Sequence, residues 1–194
     1  MDGLIVWRHA RPCGVVGRCI GRTDVPVDPR KSKRLAHRVR AWARRHGAAR
    51  VVFTSPLQRG AAVGRWLARW GWRHRVDARL GELDFGDWDG RPWAAIGAAP
   101  VDAWCAAFAN HRPGGGEAVA ALLERCAAFI ESHRDDGPVC VVGHAGWISA
   151  ALWLERSAGA SPAARSWPAA VGYGERVELA APTDASAATG SVGR

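Results

Sequence analysis

The chain has 194 residues, 48% of them hydrophobic and 23% charged, with a formal net charge of +9. That composition predicts one globular domain with a sizeable core and argues against a disordered or fibrous chain. No apolar stretch reaches membrane-spanning length, Asp2 and the brevity of the first apolar run argue against a signal peptide, and five cysteines without a C-x-x-C pair argue against a zinc site or disulfide framework, so a reduced, cytoplasmic protein is expected.

In chain order, Leu4-Ile5-Val6-Trp7 is an apolar run that breaks into Arg8-His9, with Pro12 and Gly14 forbidding continuation. It reads as a buried strand with Arg8 and His9 at its carboxyl end, the edge where open α/β sheets bind ligands. A Gly-rich loop runs from Gly14 to Gly21. Pro29 to His46 then places Leu35, Val39, Trp42 and Ala43 at helical spacing, fills the other face with basic residues and ends at Gly47. Val51 to Thr54 is a second buried strand. Ser55-Pro56 follows and predicts a serine N-cap with proline in the first turn of a helix whose apolar face is Val63, Trp66, Leu67 and Trp70.

A short strand is predicted around His74 to Val76, then a structured loop from Leu80 to Gly90 in which acids and glycines alternate with aromatics. Helices are predicted around Val101 to Ala109 and over the stripe Val119, Leu122, Leu123, Cys126, Phe129 and Ile130, with Gly114 to Gly116 between them as a possible hinge. Val139 to Gly146 repeats the opening pattern, an apolar run ending at His144. A helix to about Ser157 and a last strand within Gly172 to Leu179 complete the pass; residues 183–194 read as a disordered tail beyond a domain of residues 1–182. Strands alternating with helices predict a three-layer α/β/α architecture with a mostly parallel central sheet.

If the strands are parallel, Arg8, His9, Arg59, Glu82 and His144 converge at one edge. Two guanidinium groups and two imidazoles around one point suit a phosphoryl dianion. A histidine among cations has its protonated form disfavoured, which leaves a nitrogen free to attack, and Glu82 is placed to donate a proton to a leaving oxygen.

Here the chain resembles the histidine phosphatase, or phosphoglycerate mutase-like, superfamily. The resemblance is carried by Arg8-His9, Ser55-Pro56-Leu57-x-Arg59, Leu80-x-Glu82-x-x-Phe85-Gly86-x-Trp88-x-Gly90, Pro113-Gly114-Gly115-Gly116-Glu117 and Val142-Gly143-His144-Ala145-Gly146, in family order. It implies that His9 is the nucleophile that becomes phosphohistidine. Arg8, Arg59 and His144 would hold the phosphoryl oxygens, and Glu82 would act as general acid and then as base for water. No metal and no cofactor is implied, because the arginines supply the positive charge. The chain departs from the family pattern after His9: Pro12 removes a hydroxyl, Val15 stands where an asparagine is common, and Ala118 replaces a serine. Those changes bear on the pocket rim, where Arg11, Arg18 and Arg22 are candidates for a second anionic or polar part of the substrate.

Gly21 to Pro26 and Glu82 to Trp93 are most similar to the α-ribazole phosphatase-like branch of cobalamin synthesis. The expected partner is a small phosphorylated metabolite. A phosphoglycerate mutase or another small-metabolite phosphatase is the alternative, and the short segment between Arg59 and Glu82 leans away from the mutase. Residues 29–76 contain no acidic residue, so a non-catalytic basic protein that binds anions or nucleic acid is a more distant alternative, unsupported by any nucleic-acid motif.

Overall fold

Side-chain alternation along the strands decides the layering. The computed structural model describes residues 3–134, 136–157 and 159–180. The strands are β1 (Gly3–Arg8), β2 (Val51–Thr54), β3 (Arg73–Val76), β4 (Val139–Gly143) and β5 (Arg176–Ala180). The helices are α1 (Pro29–His46), α2 (Gln58–Ala68), α3 (Trp93–Ile96), α4 (Ala98–Ala106), α5 (Val119–Glu131) and α6 (Ala145–Arg156). The sheet order is β3-β2-β4-β1-β5, parallel except for β5, which runs antiparallel to β1.

Leu4, Val6, Val139 and Val141 face one side, against Leu122, Cys126 and Phe129 of α5 and Trp147 and Ile148 of α6. Ile5, Trp7, Val52, Cys140 and Val142 face the other, against Leu35, Val39 and Trp42 of α1 and Val63 and Leu67 of α2. Successive residues of one strand thus feed two cores, which is why the parallel strands read as continuous apolar runs. The three-layer α/β/α architecture is as the sequence predicts. No helix among the described residues is long and apolar enough to cross a membrane.

The ends of α1 follow local rules. Asp28 caps it by accepting from Arg30 N, Pro29 opens its first turn, and Gly47 closes it in the left-handed region at φ 65°. The start of α2 does not. Ser55-Pro56 is not its cap: the helix begins at Gln58, and Asp24, from the loop after β1, accepts from Gln58 N at 2.7 Å. A carboxylate distant in sequence satisfies the orphan N–H, which releases the Ser55 hydroxyl for another partner. Trp66 and Trp70, expected on the buried face, are only partly buried. They flank each other at 6.2 Å and take Lys33, Arg40 and Arg69 against their rings.

The last strand, Arg176–Ala180, begins four residues into the predicted window and ends one residue past it. Gly172 to Gly174 turn over the strand ends instead, with Gly174 N donating to Arg8 O and Arg8 N to Glu175 O. The expected tail, residues 183–194, lies outside the described residues.

Candidate active site

β1 and β4 pair with Arg8 opposite Gly143, so the next residues, His9 and His144, leave neighbouring parallel strands at the same level. Their ring centroids are 4.9 Å apart. His9 is 4% exposed, and its Nδ1 lies 2.8 Å from Ala10 O. A carbonyl only accepts, so Nδ1 carries the proton and Nε2 keeps a lone pair. Burial, followed by the Arg59 and Arg8 charges and opposed by the Ala10 carbonyl, lowers the His9 pKa to about 3. The sequence pointed to the cations as the cause; desolvation is the larger one.

His144 is fully buried. Its Nδ1 accepts from Arg59 Nε at 3.2 Å, so the neutral ring carries its proton on Nε2, which faces Ser55 Oγ at 2.6 Å. Burial, then the nearby His9, Arg59, Arg125 and Arg8, hold His144 well below the ordinary histidine range.

Arg59 sits in the first turn of α2 and is 1% exposed. Its Nη1 donates to Thr23 O at 2.7 Å and its Nη2 to Gly21 O at 2.5 Å. One N–H on each terminal nitrogen is left over for an incoming oxygen. Burial lowers the guanidinium pKa, opposed by the carboxylates of Glu82, Asp24 and Asp89. The loop that supplies those carbonyls is itself fixed by Asp89, which accepts from the backbone N–H groups of Gly21, Arg22 and Thr23.

Arg8 donates through Nη1 to Val171 O at 2.6 Å, and its guanidinium carbon lies 3.8 Å over the Tyr173 ring. Its Nε is buried and meets no acceptor among the described residues. A buried donor left this way is costly unless a ligand completes it. Glu82 accepts from Leu83 N through Oε1 and from Gly146 N through Oε2, at 3.0 and 3.2 Å. A Cβ on Gly146 would meet Glu82 Oε1, so a larger residue there would displace the carboxylate from this position.

Cationic donors, a neutral buried histidine and a carboxylate therefore meet at the carboxyl edge of a parallel sheet. The sequence profile of the histidine phosphatase superfamily (branch 1) matches residues 4–171. The chain belongs to the histidine phosphatase superfamily. It is a hydrolase of the histidine phosphatase type. Solved structures agree with the fold. A mycobacterial glucosyl-3-phosphoglycerate phosphatase in complex with VO3 shares 26% identity over 93% of this chain and 93% of that chain, with a TM-score of 0.72. The α-ribazole phosphatase from Shigella flexneri shares the fold at 24% identity, covering 89% of this chain and 87% of that one, with a TM-score of 0.70. TTHB049 from Thermus thermophilus does so at 23% identity over 92% of each chain, with a TM-score of 0.68. No curated protein sequence matches the chain.

In this histidine phosphatase the rim candidates separate. Arg22 lines a cleft of about 640 Å³ together with Glu82 and pairs with Asp84 at 3.2 Å. Arg11 is exposed, 5.3 Å from the Tyr173 ring centre. Arg18 is tied by Nη1 to Gly90 O at 2.7 Å. Two of the glycines at 114–116 serve close packing. A Cβ on Gly114 or Gly116 would strike the backbone of Phe85 or Asp84, so they let two loops pack backbone to backbone.

Sequence reasoning missed Arg125 altogether. From α5 it donates Nη1 to Arg79 O and Gly81 O, both at 2.7 Å, and Nη2 to Glu82 O at 3.1 Å. It also grips both Glu117 oxygens at 2.7 and 2.8 Å, and Glu117 N donates to Asp84 O. Arg125 and Glu117 thus clamp the segment that carries Glu82. Only the fold brings α5 to that loop; no local pattern around Arg125 announces it.

The buried histidines give the protein a pH signature. In the unfolded chain they titrate near 6.5, whereas folded His9 stays neutral down to about 3. Between those values the unfolded state binds more protons, so stability falls as the pH falls. The urea midpoint is expected to drop from pH 7 to pH 4.5, and less so in His9→Asn. An equal drop in both proteins would mean that His9 does not carry this dependence.

Proposed function

We propose that the protein is a phosphomonoesterase that acts through a phosphohistidine on His9, with no metal ion, and that its substrate is α-ribazole 5′-phosphate. The observation that carries the mechanism is the Nδ1–H of His9 on Ala10 O, which fixes Nε2 as the free, unprotonated nitrogen beside Arg8, Arg59 and His144. Nε2 attacks phosphorus while the bond to the leaving oxygen breaks and Glu82 gives that oxygen a proton. Water then attacks the phosphohistidine, Glu82 takes its proton, and inorganic phosphate and neutral His9 are released. The spare N–H groups of Arg8 and Arg59 meet the phosphoryl oxygens, where negative charge is concentrated during transfer.

The choice of substrate rests on the Gly21 to Pro26 and Glu82 to Trp93 stretches. A cytoplasmic site of action is supported by five unpaired cysteines. A second reading, a phosphatase of a glycosylated phosphoglycerate, is favoured by the 26% identity to the mycobacterial enzyme over most of both chains. Phosphate release in the presence of EDTA from α-ribazole 5′-phosphate, glucosyl-3-phosphoglycerate and 3-phosphoglycerate separates these readings and the mutase. The first substrate is expected to give the highest kcat/KM. A higher value for the second would move the assignment, and isomerisation of the third without net phosphate release would point to a mutase.

Arg125 is assigned a positioning role through Glu82. In Arg125→Met, kcat for an alkyl phosphomonoester is expected to fall about 10²-fold, the usual order for a reacting group displaced by about 1 Å, with KM nearly constant. Lysine lacks the planar fork that reaches two carbonyls and a carboxylate at once, so Arg125→Lys is expected to recover only part of the loss. Equal losses on alkyl phosphates and on para-nitrophenyl phosphate would mean general damage rather than a misplaced proton donor.

A further inference from the structure

We infer that Tyr173 is a positioning residue for Arg8, holding the guanidinium by its face so that its donor edge stays free for the phosphoryl group. This deepens the phosphomonoesterase reading and rests on it. Tyr173 is half-buried in the turn that folds over the end of β1. The turn is pinned at Arg8 itself: Gly174 N donates to Arg8 O at 3.0 Å, and Arg8 N donates to Glu175 O at 2.9 Å. Gly174 stands in the left-handed region at φ 75°, which lets the chain reverse directly after the tyrosine.

The two arginines of the site are held in different ways. Arg59 is gripped in its own plane, with Nε on His144 Nδ1, Nη1 on Thr23 O and Nη2 on Gly21 O. Arg8 has one such partner, Val171 O on Nη1 at 2.6 Å, and among the described residues no carboxylate pairs with it. One hydrogen bond leaves a guanidinium free to swivel about that corner. The Tyr173 ring, 3.8 Å from the guanidinium carbon, removes this freedom. An acid would also hold Arg8, but it would occupy the paired N–H groups and offset the charge. A ring face attracts the cation without taking an N–H. Nε, the buried donor that meets no acceptor, and Nη2 therefore keep their protons for incoming oxygens. Together they form the edge that grips two oxygens of one phosphoryl group. The same ring lies 5.6 Å from that of His9, so it sets the cation beside the attacking nitrogen.

Tyr173→Leu is expected to lower kcat/KM for para-nitrophenyl phosphate, and to weaken inhibition by vanadate, by about 10- to 30-fold each, the order of a desolvated cation–π contact. Tyr173→Phe keeps the ring and is expected to stay within about twofold of wild type in both. A double-mutant cycle with Arg8→Met shows whether the ring works through the arginine: in that background Tyr173→Leu should cost no more than about twofold. Tyr173→Gln suits the half-buried position and repeats the measurement should the leucine variant fail to fold. Wild-type values in the leucine and glutamine variants would overturn the inference. So would a loss in Tyr173→Phe equal to that in Tyr173→Leu, which would assign the effect to the phenol hydroxyl. A full loss that persists in Arg8→Met would also overturn it, because the ring would then act elsewhere. In those cases wild type would still hydrolyse para-nitrophenyl phosphate and the phosphatase reading would stand. Absence of wild-type turnover on every phosphomonoester would overturn both.

Discussion

His9→Ala is expected to lower phosphomonoester turnover by about 10⁴- to 10⁶-fold, the range typical of removing a covalent nucleophile. The loss is large because no neighbour can substitute. Both ring nitrogens of His144 are already engaged, Nδ1 accepting from Arg59 and Nε2 on Ser55. Quenching wild type during turnover of radiolabelled substrate should trap phosphate on protein in an acid-labile, alkali-stable form, as expected of phosphohistidine, and His9→Ala should trap none. His9→Asn controls for packing, since the residue is buried between β1 and the Tyr173 loop, with its ring 5.6 Å from that of Tyr173. Undiminished turnover in both variants would sink the covalent mechanism.

Glu82→Gln is expected to have the second largest effect and a different signature. Loss of general acid catalysis typically costs about 10²–10⁴-fold, and the full cost should appear on butyl phosphate, whose alkoxide is a poor leaving group. Para-nitrophenolate leaves without a proton, so phosphorylation of His9 should remain fast on that ester. Hydrolysis of the phosphohistidine still needs a base. The variant should therefore release a burst of nitrophenol equal to the enzyme concentration and then turn over slowly. The glutamine carbonyl can still accept from one of the two N–H groups that hold Glu82, so the loop at Leu83 and Gly146 should keep its place. Equal loss on both esters without a burst would remove Glu82 from the proton-transfer role.

The two predictions draw on different kinds of information. The strands, the α1 helix with its Asp28, Pro29 and Gly47 ends, and the parallel architecture were legible because each depends on local sequence: runs of β-branched residues, a 3.6-residue stripe, cap chemistry. The candidates Arg8, His9, Arg59, Glu82 and His144 were legible because motifs at strand ends acquire a shared location once the sheet is parallel. The remainder depends on contacts between segments far apart in sequence. Ser55 looks like a helix cap by every local rule, yet Asp24 caps α2 from 34 residues away and leaves Ser55 to His144. Arg125 reads as one more surface arginine until α5 packs beside the Glu82 loop.

Residue order dictates which side chains carry charge and nucleophilic nitrogen, and on which elements they ride, because those are properties of side-chain type and local periodicity. Packing sets the His9 tautomer, the dominance of burial over charge in its pKa and the clamp on Glu82. Each of these depends on which groups exclude water from one another, and desolvation is governed by neighbours in three dimensions rather than by order along the chain.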